Sequence, residues 1–175
     1  MAIATGSVLN PKERKLFLSN LQRMKRRGFD FDGAKASLFL LAQRARRNYF
    51  SPFRILEFEV AVRSRLSEGL FSEAIVKVEV KGQIKKEVAE GNGPVNALDY
   101  ALRKALSGSY PCLEMVSLRD YRVNILNGKN GTASAVRVLI WFSDREKEWV
   151  TVGCSVNIVE ASLQALRDGL EFGLL

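Results

Sequence analysis

No histidine occurs anywhere in the 175 residues. Histidine is the usual general base near neutral pH and the commonest protein ligand of catalytic metals, so its absence argues against both chemistries and excludes a Ser-His-Asp triad. Cysteine is almost as scarce. Cys112 and Cys154 lie far apart with no CxxC spacing, which signals neither a disulfide framework nor a zinc site, and both are expected to be reduced. Long apolar runs are missing too: stretches such as Leu38 to Ala42 fall far short of the roughly 20 residues a bilayer demands. Met1 to Asn10 has neither a charged n-region nor an apolar h-region, so no secretory signal is read there and a cytoplasmic address is expected. Neither GxxxxGK[ST] nor GxGxxG is present, which argues against a nucleotide site.

What is present is enough apolar residue, 47% of the chain, to fill the core of one ordinary domain with a small appendage. The formal charge of +8 suggests a polyanion partner until it is divided. Residues 1–54 carry twelve Lys/Arg against three acids, a net of +9, whereas residues 55–175 carry fifteen against sixteen, a net of −1. The basic character therefore belongs to the N-terminal segment alone.

That segment reads as a helical hairpin over residues 11–48. Asn10-Pro11-Lys12-Glu13 is a capped helix start, with Asn as cap, Pro at the first helical position and Glu closing a capping box. Phe17, Leu21 and Met24 share one stripe, and Gly28 follows the basic run Lys25 to Arg27 that suits the negative end of a helix. A second helix is expected after Asp32, with Ala34, Leu38, Leu41 and Ala45 on its apolar face, ending before Pro52.

From Ile55 the period changes to two. Leu56, Phe58, Val60 and Val62 alternate with Glu57, Glu59, Ala61 and Arg63, which predicts a strand with one solvated face. Ala74 to Val80 and Gln83 to Val88 predict two more strands. Gly91-Asn92-Gly93-Pro94 then interrupts the alternation, and Val95, Leu98, Leu102 and Ala105 form a helical stripe. The order β-β-β-α recurs about sixty residues on. Tyr121, Val123 and Ile125 answer Phe58, Val60 and Val62. Residues 135–140 answer 75–80, and Val156-Asn157 with Val159, Glu160 and Leu163 answers Val95-Asn96 with Leu98, Asp99 and Leu102. The expected fold is α+β: the hairpin as one subdomain (1–54) and a duplicated βββα domain (55–175), whose units bury their sheet and helix faces together.

Two corners could carry chemistry. Gly91-Asn92-Gly93 lies between a strand and a helix start, where exposed N–H groups and the helix dipole favour a carboxylate, and Gly153-Cys154-Ser155 is its counterpart. The plainer reading is a tight turn that only glycine permits. Cys154, without a neighbouring base, reads as a small apolar residue. Glu57, Glu59, Glu87 and Glu90 read as solvated carboxylates rather than a catalytic pair. The basic run Arg44 to Arg47 beside Tyr49 and Phe50, with Arg23 to Arg27, leaves open a nucleic-acid-binding alternative against the usual solvated helix end.

Several motifs resemble the C-terminal regulatory domain of isopropylmalate and citramalate synthases, acyltransferases that condense an acyl-CoA with a 2-oxo acid. They are Gly91-Asn92-Gly93-Pro94-Val95-Asn96-Ala97-Leu98-Asp99, Gly131-Thr132-Ala133 with Val136-Arg137-Val138, and Thr151-Val152-Gly153 through Asn157-Ile158-Val159-Glu160-Ala161-Ser162. The ending Leu166-Arg167-Asp168-Gly169-Leu170-Glu171-Phe172 is most similar to the citramalate branch, and the hairpin resembles the linker that follows the catalytic barrel. The resemblance implies a homodimer that binds a branched-chain amino acid as feedback inhibitor at the subunit interface, isoleucine ahead of leucine. The implied ligand-binding residues are Gly91, Asn92 and Gly93, then Leu118, Tyr121 and Ile125, then Cys154, Val156 and Ile158. The family's barrel holds its metal on a His-x-His pair that this sequence lacks, so no catalytic residue, metal or cofactor is expected in this chain, and its partners are expected to be the effector, a second copy and the barrel, with neither nucleic acid nor membrane.

Overall fold

A computed structural model describes residues 9–67, 69–126 and 128–175 of the chain. Most of the segment read for a secretory signal therefore lies outside the described residues. Helix α1 (Pro11–Arg26) starts as the sequence expects: the Asn10 side chain accepts the Lys12 and Glu13 N–H groups at 3.0 Å, and Glu13 accepts the Asn10 N–H in return. Helix α2 (Lys35–Gln43) is shorter than its stripe suggests, because Arg44 to Tyr49 continue as irregular turns. Six strands and two more helices follow: β1 (Phe53–Arg65), β2 (Gly69–Val80), β3 (Gln83–Gly91), α3 (Pro94–Ser107), β4 (Ser117–Ile125), β5 (Val136–Ser143), β6 (Glu148–Ser155) and α4 (Ile158–Gly173). Two separate antiparallel sheets, β1-β2-β3 and β4-β5-β6, each with its own helix, make the fold α+β. Among the described residues no helix is long and apolar enough to cross a membrane.

The chain forms two compact units. One comprises Pro52–Val116 with the last two residues, and is the first βββα repeat. Along β2, Ser72, Ala74, Val76, Val78 and Val80 are buried toward α3, whose Ala97, Leu98, Ala101, Leu102, Ala105 and Leu106 are buried in return. The other face of this sheet is mixed: it carries the ion pairs Arg54–Glu79, Arg63–Glu73 and Arg65–Glu90 beside the exposed Ile84 and Val88. Arg103 holds the connector after α3, donating to the carbonyls of Leu113 (3.0 Å) and Val116 (2.8 Å) while paired with Asp99.

The second unit joins the residues up to Ser51 to Ser117–Gly173. The N-terminal helices, expected as a subdomain of their own, share a core with the second repeat. Val138, Ile140 and Phe142 face α4, as do Trp149 and Thr151, whose side chains donate to the Gly169 and Ala165 carbonyls. Val152 and Cys154 point the opposite way, into a cluster with Phe17, Phe29, Phe31, Ala34, Leu41, Ala42 and Ala45, and Leu139 packs against it. Strand β6 is thus covered on both faces. One difference is legible in the repeat: Leu139, packed against this cluster, stands where the first copy has Glu79, which is paired with Arg54.

Candidate functional site

In the first unit, β3 ends at Gly91 where the chain turns into α3. A Cβ on Gly91 would lie 2.6 Å from the Ala97 nitrogen and 2.6 Å from Asn96 Oδ1, so the helix start can press on the strand end only with glycine there. The Asn92 N–H donates to Asn96 Oδ1 at 3.1 Å. Gly93 is the N-cap in an extended conformation, and a side chain there would meet open space. No side chain caps α3, so the partial positive charge of its first turn is not neutralised from within.

The corresponding corner of the second unit is closed. Asn157 Oδ1 accepts the N–H groups of Val159 (2.9 Å) and Glu160 (3.2 Å). Ser155 Oγ accepts from the Asn157 N–H at 3.1 Å and donates to Glu160 Oε2 at 2.5 Å, and the Cys154 N–H donates to Gln164 Oε1 at 3.0 Å. Gly153 lies so close to the Ala161 carbonyl that any side chain would collide with it. Cys154 is buried, and its thiol donates to the Arg27 carbonyl at 2.9 Å. Burial pushes that thiol's pKa up despite the positive fields of Arg137 and Arg27, which makes it an inert apolar neighbour rather than a nucleophile. Val156 and Ile158, by contrast, are 71% and 45% exposed.

Strand β4 supplies the remaining candidates. Leu118 pairs with Phe142, an irregularity follows, and Tyr121, Val123 and Ile125 then pair with Ile140, Val138 and Val136. Since Phe142, Ile140 and Val138 are the buried α4-facing residues, the β4 side chains belong to the same face. Helix α4 packs on β5 and β6 rather than on β4, so this row is incompletely covered and Ile125 is 67% exposed. The half-buried Tyr121 is tethered to α4 through a 2.8 Å hydrogen bond between its hydroxyl and Ser162 Oγ. Ile125 pairs with Val136 and Val136 with Ser155, which puts Ile125 at the same end of the sheet as Val156 and Ile158. Leu118 lies at the other end. At about 3.3 Å per residue it is roughly 20 Å from Ile125, farther than one amino acid can bridge. The first unit repeats the pattern: Phe58, Val60 and Val62 pair with Val76, Ala74 and Ser72 on the α3 face, and Phe58 and Val62 remain exposed.

Compared with known proteins, residues 32–174 match the model of the LeuA allosteric (dimerisation) domain. The chain belongs to this family. Its LeuA-domain relatives include the (R)-citramalate synthase of Geobacter sulfurreducens, 49% identical over 90% of this chain and 30% of the relative. The (R)-citramalate synthase of Synechocystis is 43% identical, with 94% of this chain and 31% of the relative covered. A 2-isopropylmalate synthase from Methanocaldococcus jannaschii is 31% identical over 67% of this chain and 21% of its own length. The chain spans about a third of the length of the citramalate synthases it matches. Within the LeuA domain the sequence motifs mark the glycine corners well, but they do not reveal that Asn157 and Gln164 fill the second one. Asn157 in cap position was the available signal for the first of these; Gln164 gave none. They also miss Val123, exposed on the same row as Tyr121, and the buried Ser162 that bonds the Tyr121 hydroxyl.

Proposed function

We propose that the chain is the effector-sensing and dimer-forming region of an acyltransferase of the citramalate or 2-isopropylmalate synthase type, with isoleucine as the preferred effector and leucine second. The proposed effector contacts are Gly91, Asn92 and Gly93 in the first unit and Tyr121, Ile125, Cys154, Val156 and Ile158 in the second; Leu118, at the far end of β4, is left out of the set the sequence suggested. The observation that carries this reading is the exposed apolar group Ile125, Val156 and Ile158 at one end of the second sheet, a surface suited to a branched aliphatic side chain. In the first unit, taken by itself, the start of α3 has no side-chain cap, a chemistry that favours a carboxylate. Cys154 contributes shape through its backbone position, since its thiol is turned into the core and its N–H is bonded to Gln164.

Homodimer formation is supported by the family and by the incompletely covered apolar rows on β1 and β4, both edge strands. The nucleic-acid alternative gains nothing from the relatives, and one of its basic residues, Arg44, is consumed in a buried ion cluster instead of being displayed. Calorimetric titration of the purified chain with isoleucine, leucine and valine, with mass determination in solution, tests the proposal. Saturable heat for isoleucine at a dimer mass supports it. An intact dimer that gives neither heat nor thermal stabilisation with any of the three overturns it.

A further inference from the structure

The second unit contains a cluster of buried charges that the effector site does not use. Arg44, at the C-terminal end of α2, donates to Asp168 Oδ1 at 2.8 Å and to Glu171 Oε2 at 2.6 Å. Glu171, only 1% exposed, also accepts from the Tyr49 hydroxyl (2.7 Å) and the Ser51 hydroxyl (3.0 Å). Asp168, 3% exposed, accepts from Ser37 Oγ at 2.9 Å and from Arg167 at 2.8 Å. Both carboxylates project from the last turns of α4, while Ser37, Arg44, Tyr49 and Ser51 all come from the N-terminal segment.

Apolar burial is non-directional, so by itself it does not dictate which polar group of one layer meets which of the other. A buried carboxylate is not indifferent: it must keep directional donors or be left uncompensated in a low-dielectric interior. The repeat supplies an independent indication. At the positions matching Asp168 and Glu171, the first copy has Ser107, exposed, and Tyr110, which lies beyond the end of α3. The carboxylates therefore occur only in the copy that carries the N-terminal helices. Helix α4 is 16 residues long, about 24 Å of rigid rod, with Ile158 at its start and Glu171 near its end.

We infer that the cluster of Arg44, Asp168 and Glu171 is a coupling element that makes residues 35–51 move with α4 as one body. A displacement begun at the start of α4 then reaches the N-terminal helices. The regulatory meaning rests on the proposed effector site; the mechanical claim does not.

Native-state hydrogen exchange of the full chain across low urea concentrations tests it. In the unaltered protein the amides of α2 and of the last turns of α4 are expected to open in one cooperative step. In Arg44→Met, or in the milder Tyr49→Phe if that variant does not fold, α2 is expected to exchange about tenfold faster relative to α4, with α3 unchanged. Separate opening of α2 and α4 in the unaltered protein overturns the inference, as does a variant that leaves their ratio unchanged. Adding isoleucine forms a second arm. No heat with the coupling intact removes the effector reading and leaves the coupling standing, whereas binding with α2 and α4 opening separately does the reverse.

Discussion

Ser37 joins Asp168 to the edge of the second sheet: its hydroxyl donates to Asp168 Oδ2 at 2.9 Å while accepting the Val152 N–H at 3.0 Å. Because β6 is an edge strand, that N–H has no ladder partner, and the serine of α2 supplies one. Ser37→Ala removes both bonds from buried groups and is expected to cost about 2 kcal/mol. Urea unfolding of the two proteins measures it. A loss below about 0.5 kcal/mol would show that water replaces the hydroxyl.

Asp168 gives a pH signature. Burial alone would raise its carboxyl pKa, but Arg167 and Arg44 outweigh burial and hold it below the ordinary aspartate value of 3.8. A depressed folded pKa means the ionised form is stabilised by folding, so this contribution is present above the unfolded value and fades as pH falls through 3.8 toward the folded one. Asp168→Asn is expected to cost about 3 kcal/mol at pH 7 by leaving the arginines short of a partner. The gap from the unaltered protein should narrow below about pH 4, and urea titrations from pH 7 to 3 would read it.

Asp99 behaves oppositely. Burial raises its pKa, and the facing Arg103 only partly offsets that. Its ionised form is therefore disfavoured by folding, and stability falls as pH rises through the interval just above 3.8. In an Asp99→Asn variant this falling component should vanish from the stability profile. A profile unchanged between pH 3 and 6 would contradict it.

Gly153→Ala tests the strand-to-helix contact. The added methyl would run into the Ala161 carbonyl, backbone that cannot rotate away, so α4 must shift from β6. A loss of at least about 2 kcal/mol is expected, while Gly93→Ala, with open space around it, should cost far less. Thermal denaturation of both variants gives the comparison.

The difference between the repeats is also testable. Leu139→Glu gives the second sheet the residue its first copy carries at Glu79, and places a carboxylate against the cluster around Phe17, Phe31 and Leu41. It is expected to destabilise the unit by about 3 kcal/mol and to open the Gly28 to Asp32 turn to proteolysis. Glu79→Leu, on a mixed and accessible face, should leave the melting temperature within a few degrees.

By itself the sequence determined the elements and their repetition, because alternation, helical stripes, the Asn10 cap and the glycine breaks are local properties of the chain. It also determined the family motifs, but not that Phe58, Val62 and Ile125 on the helix-facing side of their sheets stay exposed. Tertiary structure alone decided where the N-terminal helices pack, that Cys154 turns into their core, and that Asn157 and Gln164 close one glycine corner while the other stays uncapped. It alone brought Ser37, Arg44 and Tyr49 to Asp168 and Glu171 across more than a hundred residues of chain. Such contacts depend on which surfaces meet after the elements have formed, and no spacing along the chain encodes the direction in which a buried carboxylate finds its donors.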